Sequence, residues 1–444
     1  MNKNFIKTVK FGGSSLADAN QFKKVASIVL AEKERKYVIP SAPGKRFKDD
    51  TKVTDLLLTA YSQSAEGKDF SNVFETIKER YNSIINELSL KVTLDSDFEE
   101  IEAHLKKGTT KDYVASRGEY LNGKLLADYL GFEFIDAADI IIFNEDGTFN
   151  ADETNVVAKK CLSTKGYCVI PGFYGATKHG EIKTFSRGGS DITGAIISRA
   201  VMADIYENWT DVSGFLKADP RIVDNPKSIK YITYQELREL SYMGATVLHE
   251  DSIFPVKIAG IPINIKNTNH PEDIGTMIVA ASYKTTEFMG DEIITGIAGK
   301  EGFCAINIEK DMMNQEVGFG KKVLDVLYDM NISFEHLPSG IDTMSIIVNS
   351  ACIDGREKEI MDKLMSAVNP DSLEIESGIA LIAVVGRGMI KNIGTSGRVF
   401  TALSNADINI RMIDQGSSEL NIIIGVDEHD FKKAIKVIYD EFLG

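Results

Sequence analysis

The last third of the chain repeats itself, and this repeat constrains the fold more than any other feature. Residues 317–348 align without a gap on residues 393–424, at a constant offset of 76 residues. Identical residues are glycine or aliphatic, and such residues specify fold; they include Gly318/Gly394, Val323/Val399, Leu327/Leu403, Ile332/Ile408, Gly340/Gly416 and Ile347/Ile423. Each copy is patterned as strand, helix, two strands and helix. The sequence therefore predicts a duplicated α+β module of about 70 residues.

Residues 1–290, before the repeat, alternate short β-rich runs with helical patterns, which is typical of an α/β fold with a largely parallel open sheet. The predicted strands are Phe5–Phe11, Tyr37–Ser41, Phe132–Ile135, Tyr167–Gly172, Ile205–Thr210 and Pro262–Lys266. The predicted helices are 18–34, 53–64, 70–88, 112–130, 152–163, 190–203 and 234–249. Four strands lead into the loops KFGGSS, VIPSAPG, IPGFYG and WTDVSG. Ligands of open α/β sheets bind at such carboxyl ends.

Composition excludes several classes of protein. A net charge of −15 at pH 7 argues against general binding to nucleic-acid phosphates or to anionic membranes. The cysteines form no CxxC pair, which indicates reduced thiols in a cytosolic protein: Cys161, Cys168, Cys304 and Cys352. No run approaches the ~18 apolar residues of a membrane helix. We therefore expect a soluble, cytoplasmic protein without nucleic-acid or membrane partners.

The loop KFGGSS places Lys10 near the end of an otherwise apolar strand. Gly12 and Gly13 let backbone N–H groups approach an anion, and a following helix N-terminus adds partial positive charge. A tight turn alone would explain the glycines but not the lysine. The pattern therefore favours a phosphate site.

Three further segments carry candidate polar residues. In SRGGSD, Arg187 is suited to bidentate binding of carboxylate or phosphate, whereas Ser190 and Asp191 alone also read as a helix N-cap. In WTDVSGFLKADPR, a turn explains most of DPR without a ligand. In SRGEYLNGK, Glu119 on its own fits a solvated helix face.

Together these segments resemble the aspartokinases of the amino-acid kinase superfamily. The motifs occur in the family's order over essentially the whole chain: KFGGSS, SRGEYLNGKLLADYL, SRGGSDITG, WTDVSG with KADPR, GATVLH and a tandem of ACT-type repeats. The resemblance implies an amino-acid kinase domain in 1–290, a first ACT repeat in 291–375 and a second in 376–444. It also implies that the first repeat is inserted within the second, through a strand near 293–299.

The reaction implied by the resemblance is transfer of the γ-phosphoryl group of MgATP to the β-carboxylate of L-aspartate. The products are 4-phospho-L-aspartate and ADP, and the step is the first toward lysine, threonine and methionine. Because a carboxylate is already a nucleophile at neutral pH, catalysis needs positioning and charge neutralisation more than a general base. Mg²⁺ enters with ATP, and no metal ligand follows from the sequence.

The resemblance also implies roles for individual residues. The catalytic residues are Lys10 and Asp191. The substrate-binding residues are Ser41, Thr54, Glu119, Arg187 and Ser190. The ATP-binding residues are Lys10, Gly12, Gly13, Ser14, Thr210, Asp211, Asp219 and Arg221.

Three positions depart from the family pattern or leave it open. Thr246 stands where many relatives carry a nucleotide-contacting lysine. Leu216 stands where a tyrosine is often found near the base. Extra charged residues between Gly44 and Thr54 leave the register of Thr54 undetermined.

Resemblance to the lysine-sensitive aspartokinases implies an effector pocket in the first repeat, formed by Met313, Gly318, Phe319, Gly320, Ser333, Phe334 and Glu335. Glu335 and Asp342 favour a cationic effector, lysine over threonine. The second repeat has Ile410 and Arg411 in the places of Phe334 and Glu335, so we expect it to serve mainly in a homodimer or homotetramer interface. We expect the segment 285–300 to transmit regulation, while pure packing remains the alternative role of both repeats.

Two other functions stay open at this point. Another amino-acid kinase, acting on glutamate, carbamate or a nucleoside monophosphate, would share the KFGGS-type loop but not the repeats or SRGEYLNGK. A non-catalytic amino-acid sensor would use the repeats alone, and the presence of Lys10, Glu119, Arg187 and Asp191 argues against it. A P-loop phosphotransferase is excluded, because GxxxxGK[ST] does not occur in the sequence.

Overall fold

The structure is a computed structural model of the 444-residue chain. It describes residues 5–186, 188–244, 250–283 and 292–444, and it describes side chains in the helix that starts at residue 250 from Ile253 onward. The chain divides into two compact units. The first holds the described residues within 1–215, 230–234 and 247–284, and the second holds those within 216–229, 235–246 and 285–444.

The first unit is built on two sheets. Its strands are β1 (Lys7–Phe11), β2 (Arg35–Pro40), β3 (Glu133–Phe134), β4 (Ile142–Phe143), β5 (Cys168–Val169), β6 (Tyr174–Thr177), β7 (Ile182–Thr184), β8 (Ile205–Thr210), β9 (Tyr231–Thr233), β10 (Ile263–Asn267) and β11 (Thr276–Val279). The large sheet has the order β3-β5-β2-β1-β8-β10-β11-β9, and the small one the order β4-β6-β7. In the large sheet, every described pairing is parallel except that of β10 with β11.

The helices of this part of the chain carry apolar residues that recur every three or four positions, which gives each of them one face to bury. Their bounds are α1 (Ala19–Leu30), α2 (Val53–Ala65), α3 (Ser71–Leu88), α4 (Asp95–Lys107), α5 (Lys111–Leu130), α6 (Ala151–Leu162), α7 (Gly189–Ala200), α8 (Tyr234–Tyr242) and α9 (Glu250–Ala259). All of α8 after its first residue belongs to the second unit. In α3, for example, Phe74, Ile77 and Tyr81 are buried and join a core that also holds Val9 and Phe11 of β1.

The second unit contains a five-stranded antiparallel sheet with four helices. The strands are β12 (Gly296–Glu309), β13 (Thr343–Asn349), β14 (Ser372–Val385), β15 (Met412–Asp414) and β16 (Asn421–Asp427), in the order β13-β12-β14-β16-β15. The helices are α10 (Phe319–Asp329), α11 (Glu357–Val368), α12 (Thr395–Asn405) and α13 (Phe431–Leu443). Together with the parallel sheet of the first unit, this confirms the predicted fold class.

The two repeats are equivalent at the start of their first helices. Gly318 caps α10 with φ = 83°, and Gly394 caps α12 with φ = 89°. Side chains other than glycine rarely adopt this left-handed conformation, which explains why this pair is identical between the copies. Each repeat has its own apolar core, one around Val323 and Leu327 and the other around Val399 and Leu403.

The long strand β12 takes part in both repeats. Its first half, Gly296–Lys300, pairs with Leu381–Val385 of β14. Its second half, Phe303–Glu309, pairs with β13 on one side and with Ser372–Ile379 of β14 on the other. The register shifts between Lys300 and Phe303, where the strand passes from one repeat to the other.

Most predicted elements of the first unit are present within a few residues of their predicted bounds. The structure also contains elements that the sequence analysis did not predict, among them α4, α9 and the small sheet. The predicted helix 234–249 was too long, because α8 ends at Tyr242 and residues 243–244 form a turn; residues 245–249 lie outside the described part. The four cysteines are free. Within the described residues, no helix combines the length and the apolar character that crossing a membrane requires.

Candidate active site

Lys10 and Asp191, the predicted catalytic residues, form an ion pair. Lys10 lies in β1 and Asp191 in the first turn of α7, and Lys10 Nζ is 2.6 Å from Asp191 Oδ1. Asn208 of β8 touches both, because its Nδ2 donates to Asp191 Oδ1 at 2.8 Å and its Oδ1 accepts from Lys10 Nζ at 3.4 Å. Lys10 is 8% exposed and Asn208 only 2%. These three side chains thus form one hydrogen-bonded polar cluster.

The glycine loop after β1 runs backbone to backbone against residues 42–44. The N–H of Gly44 donates to the carbonyl oxygen of Gly13 at 2.8 Å. A Cβ atom on Gly13 would lie 2.9 Å from the Ala42 carbonyl oxygen, and one on Gly44 would lie 2.6 Å from the Gly13 carbonyl carbon. This close approach requires glycine at both positions. A Cβ atom on Gly12 would lie 3.6 Å from Lys10 Nζ, an ordinary van der Waals contact, so Gly12 lies next to the ammonium group.

A short 3-10 turn, Gly13–Leu16, follows the glycines directly. The α-helix begins only at Ala19, with the Asp18 side chain as its N-cap. The helix N-terminus that we expected to follow this loop therefore lies beyond the turn. Ser14 is exposed in the turn, while Ser15 is buried and its hydroxyl is 2.8 Å from Thr268 Oγ1.

Glu119 is buried in α5, contrary to the solvated helix face that it would occupy in the alternative interpretation. It is 6% exposed, and among the described residues its Oε2 atom has no hydrogen-bond partner. Burial raises the pKa of the Glu119 carboxyl to about 8, and hydrogen bonding from the Ala42 backbone opposes the shift. A buried carboxyl oxygen without a hydrogen-bond partner calls for a partner from outside the chain, such as a bound ligand or a water molecule.

Asn122 lies one turn further along the same face of α5. Its Nδ2 donates to the Ser41 carbonyl oxygen at 2.6 Å, whereas its Oδ1 is buried without a partner among the described residues. Two unpartnered acceptors therefore lie on one face of α5. Asn122 was not among the predicted site residues, although its polar side chain interrupts an apolar helix pattern.

Ser41 and Thr54 both lie close to this part of α5. Ser41 follows β2 and donates its backbone N–H to the Phe11 carbonyl oxygen at 3.0 Å. Thr54 is in the first turn of α2, and its Oγ1 is 3.8 Å from the position that a Cβ atom on Gly118 would take. The structure thus places Thr54 next to the residue before Glu119.

Ser190 is buried in α7 against the loop after β5. A Cβ atom on Gly172 would lie 2.6 Å from the Cβ of Ser190, so only glycine fits there. The next residue, Phe173, has φ = 81°, a strained conformation for a bulky side chain. Its backbone N–H donates to Thr193 Oγ1 at 3.0 Å, which holds the loop on α7. Arg187, the remaining predicted residue of this loop, lies outside the described residues.

The predicted ATP-binding residues fall into two groups. Thr210 and Asp211 follow the Trp209 carbonyl oxygen that accepts the N–H of Gly12 at 3.0 Å, so they lie near the glycine loop. Asp219 and Arg221 belong to the second unit and pair with each other at 2.6 Å. Leu216, also in the second unit, is 38% exposed, and Thr246 lies outside the described residues.

The described residues contain no group of three or more His, Cys, Asp or Glu side chains that could hold a metal ion. A cavity of about 460 Å³ lies in the second repeat, around the start of α12, and none of the predicted site residues lines it.

The predicted effector residues lie at the start of α10 and of the first repeat's hairpin. The side chains of Met313 and Phe319 are buried in the core of the repeat. Gly318 and Gly320 begin α10, and Ser333, Phe334 and Glu335 precede the hairpin. Glu335 accepts a hydrogen bond from the hydroxyl of Tyr242 in α8. In the second repeat, Arg411 pairs instead with Glu376 and Asp427.

Comparison with known sequences identifies both parts of the chain. Residues 6–267 match the amino acid kinase family, and residues 382–442 match the ACT domain. Aspartokinase 3 of Bacillus subtilis (strain 168) is 40% identical over 452 aligned positions, which cover 98% of each chain. Chloroplastic aspartokinase 2 of Arabidopsis thaliana is 30% identical, over 98% of this chain and 84% of the plant protein.

Solved structures agree with the sequence comparison. The crystal structure of Clostridium acetobutylicum aspartate kinase has a TM-score of 0.91 and 52% sequence identity, over 99% of this chain and 100% of that one. Escherichia coli aspartokinase III in complex with lysine and aspartate has a TM-score of 0.73 at 23% identity, which supports the fold. The resemblance in sequence motifs is therefore confirmed, and the chain belongs to the aspartokinase family.

Proposed function

We propose that this chain is an ATP:L-aspartate 4-phosphotransferase. The observation that carries the proposal is the pair of buried, unpartnered acceptors on α5, Glu119 Oε2 and Asn122 Oδ1. They form an ammonium-binding site next to the loop that would bind phosphates, since Ala42 hydrogen-bonds Glu119 through its backbone and faces Gly13 with its carbonyl oxygen. An amino-acid substrate anchored there by its ammonium group presents its side-chain carboxylate to the nucleotide.

Charge neutralisation is the main task of the site, because two anions must meet. A β-carboxylate oxygen of aspartate forms a bond to the γ-phosphorus, and the bond from the γ-phosphorus to the bridging oxygen breaks. The electron pair leaves with ADP, so no proton transfer is needed at this step. The Lys10 ammonium group stabilises the charge on the transferring group, and Asp191 holds that ammonium group in place.

The nucleotide would lie against the glycine loop. Gly12, Gly13 and Ser14 offer backbone and hydroxyl donors to its phosphates, and Thr210 and Asp211 lie beside them. Asp219 and Arg221 are proposed as further ATP-binding residues from the resemblance in sequence motifs alone. Mg²⁺ would arrive as MgATP, bound largely by phosphate oxygens.

Ser41, Thr54, Arg187 and Ser190 complete the proposed aspartate site. Ser41 and Thr54 border the α5 acceptors, and Ser190 is buried at the start of α7. A guanidinium at Arg187 is suited to a substrate carboxylate.

Feedback inhibition by L-lysine is the proposed role of the first repeat. The relative from C. acetobutylicum is described as an allosteric enzyme. In this chain, Glu335 provides an acid for a cationic amino acid, while Arg411 at the matching place in the second repeat would repel one. We further propose that the domains are 1–290, 291–375 and 376–444, that the protein is cytoplasmic, and that the second repeat contributes mainly to a homodimer or homotetramer.

Substitutions at the two ends of the site test the proposal. Lys10→Ala should lower ATP-dependent formation of aspartate hydroxamate by about 10³-fold, because charge stabilisation at the phosphoryl group is lost. Asn122→Leu should raise the KM for aspartate at least tenfold and leave the KM for ATP within about twofold, because one acceptor of the ammonium group is lost. Lys358→Ala, on the exposed face of α11, serves as control. Normal turnover in Lys10→Ala would contradict the proposal.

A further inference from the structure

Asn208 is a buried polar residue in the middle of the large sheet, and it has no role in the reaction proposed above. It lies in β8, in register with Lys10 of β1 on one side and Ile265 of β10 on the other. Lys10 is in turn in register with Ile39 of β2. The row across the sheet therefore reads Ile, Lys, Asn, Ile. Burying an amide in such a row is unfavourable unless its hydrogen bonds are made.

The neighbouring polar residue of β8, Glu207, has its hydrogen-bond partners on the opposite face of the sheet, and these contacts do not involve Asn208. Glu207 accepts hydrogen bonds from Arg35 and from the indole N–H of Trp209. That cluster supports the other side of the sheet. Side chains alternate along a strand, so Asn208 points to the same side as Tyr206, toward α7.

Tyr206 and Asn208 both hold Asp191. The Tyr206 hydroxyl donates to the Asp191 carbonyl oxygen at 3.2 Å, and Asn208 Nδ2 donates to the Asp191 carboxylate at 2.8 Å. Gly194 makes the first contact possible, because a Cβ atom there would lie 2.4 Å from the Tyr206 hydroxyl. Two side chains of β8 thus fix the backbone and the carboxylate of one residue of α7.

The same carboxylate oxygen receives the amide and the ammonium group. Asp191 Oδ1 is 2.8 Å from Asn208 Nδ2 and 2.6 Å from Lys10 Nζ. The amide oxygen of Asn208, 3.4 Å from Nζ, closes the ring. An amide is suited to this position because it donates to the carboxylate and accepts from the ammonium group. Leucine would offer neither, and aspartate would place a second negative charge beside Asp191.

We propose that Asn208 is a positioning residue for phosphoryl transfer: it orients the Asp191 carboxylate and through it the Lys10 ammonium group that meets the transferred phosphoryl. This inference rests on the proposed function. It also explains how Asp191 stays hydrogen-bonded when the ammonium group turns toward the nucleotide, since the amide N–H remains. Misplacing a catalytic group by about 1 Å lowers rates by about 10²-fold.

Kinetics of Asn208→Leu test the proposal. We expect kcat, counted per ADP-binding site, to fall about 10–100-fold, while the KM values for ATP and aspartate change less than threefold. Counting sites by ADP binding removes any loss of folded enzyme. Ile265→Val, in the same row, is the control and should leave kcat unchanged. An unchanged kcat in Asn208→Leu would overturn the proposal.

A double substitution separates positioning from structural damage. In an Asp191→Asn background, Asn208→Leu should lower kcat less than threefold further, because the group through which it acts is already altered. The same 10–100-fold loss in both backgrounds would overturn the proposal, since it would show that Asn208 does not act through Asp191.

A labelling experiment measures how accessible the Lys10 amino group is, and it does not depend on turnover. Acetic anhydride should acetylate Lys10 at least threefold faster in Asn208→Leu than in the wild type, relative to exposed Lys358, as followed by peptide mass spectrometry. Equal rates would overturn the proposal. If the wild type forms no aspartate hydroxamate but Lys10 labelling does respond, the proposed function fails while the positioning of Lys10 by Asn208 stands.

Discussion

The hydroxyl of Tyr242, at the end of α8, donates a hydrogen bond to Glu335, at the start of the first repeat's hairpin. Glu335 is the acid proposed to bind a cationic effector, so the Tyr242 hydroxyl and an effector ammonium group would compete for the same carboxylate. The other end of α8 is held by the second repeat, through Glu236 and Arg387. α8 therefore contacts both repeats.

Tyr242→Phe should make lysine bind more tightly. Without the hydroxyl, Glu335 is free for the effector, and the lysine concentration for half-inhibition should fall about threefold, the modest value expected for a partly exposed hydrogen bond. Inhibition curves at fixed aspartate measure this. Tyr328→Phe, on an exposed tyrosine of α10, is the matched control. An unchanged or weaker response to lysine in Tyr242→Phe would argue against competition for Glu335.

Glu236→Ala should destabilise the second unit. The Glu236 side chain is fully buried and accepts hydrogen bonds from the Thr295 hydroxyl at 2.5 Å and from Arg387 Nη1 at 3.1 Å. Glu236→Ala removes the acceptor of these hydrogen bonds, and a bond to a charged group contributes about 1.5–3 kcal/mol, so we expect a loss of about 3 kcal/mol in the free energy of unfolding.

Calorimetric unfolding checks this value, with Asp325→Asn as control. Asp325 forms an exposed pair with Lys321 in α10, and its loss should change stability by less than about 0.5 kcal/mol. A Glu236→Ala variant as stable as the control would mean that the buried pair does not hold α8 to the second repeat.

Glu119 should make aspartate binding depend on pH. Its pKa is about 8 in the folded protein because burial disfavours the charged form, so below pH 8 the free enzyme carries mostly the protonated acid. The substrate ammonium group needs the carboxylate, so kcat/KM for aspartate should rise up to tenfold per pH unit toward pH 8 and then level. Glu119→Gln should have a low, flat profile, and a flat wild-type profile from pH 6 to 8 would contradict this role.

The Glu119 carboxyl also makes the stability of the protein depend on pH. Here the direction is opposite to that of kcat/KM. Its pKa is raised above the unfolded value, near 4.5, so the folded protein binds more protons between the two values and stability falls as pH rises through this range. Glu119→Gln should therefore raise the melting temperature at pH 8 more than at pH 5. Equal effects at both pH values would show that Glu119 ionises normally.

Two buried threonines should respond in opposite ways to replacement by valine. Thr8 of β1 has a buried hydroxyl without a partner among the described residues, so Thr8→Val should be neutral or stabilising. Thr193 of α7 accepts from the Phe173 N–H and donates to the Gly189 carbonyl oxygen at 3.1 Å. Thr193→Val should cost about 1–3 kcal/mol, because it leaves the strained Phe173 backbone unpaired. Thermal unfolding compares the two variants. Equal effects would contradict the difference in hydrogen bonding between Thr8 and Thr193.

Local patterns were enough to predict the strands and glycine loops of the first unit. Periodicity failed where local signals conflict: α9 contains Pro255, which usually ends a helix, and α4 follows the strand-like run LSLKVTL. Contacts between side chains on different strands could not be predicted from local sequence patterns. Asn208 is recognisable as important only once the register of β1 and β8 sets it beside Lys10, and Tyr242 only once α8 meets Glu335.

The predicted roles of apolar residues show the same limit. Met313 and Phe319 match effector-pocket positions by resemblance, yet their side chains are buried in the repeat core, which a helical apolar pattern would equally predict. Polar residues carry clearer signals. Glu119 is buried without a partner at Oε2, and this energetic cost distinguishes it from a surface glutamate in a way that the sequence does not.

The central claim is aspartate phosphorylation, and the most direct measurement traps the acyl phosphate with hydroxylamine. Purified wild-type chain is incubated with MgATP and either L-aspartate or L-glutamate, with and without L-lysine. We predict aspartate hydroxamate in the presence of aspartate, none above background with glutamate, and suppression by lysine. Formation of glutamate hydroxamate would contradict the claim. So would the absence of any product with either amino acid.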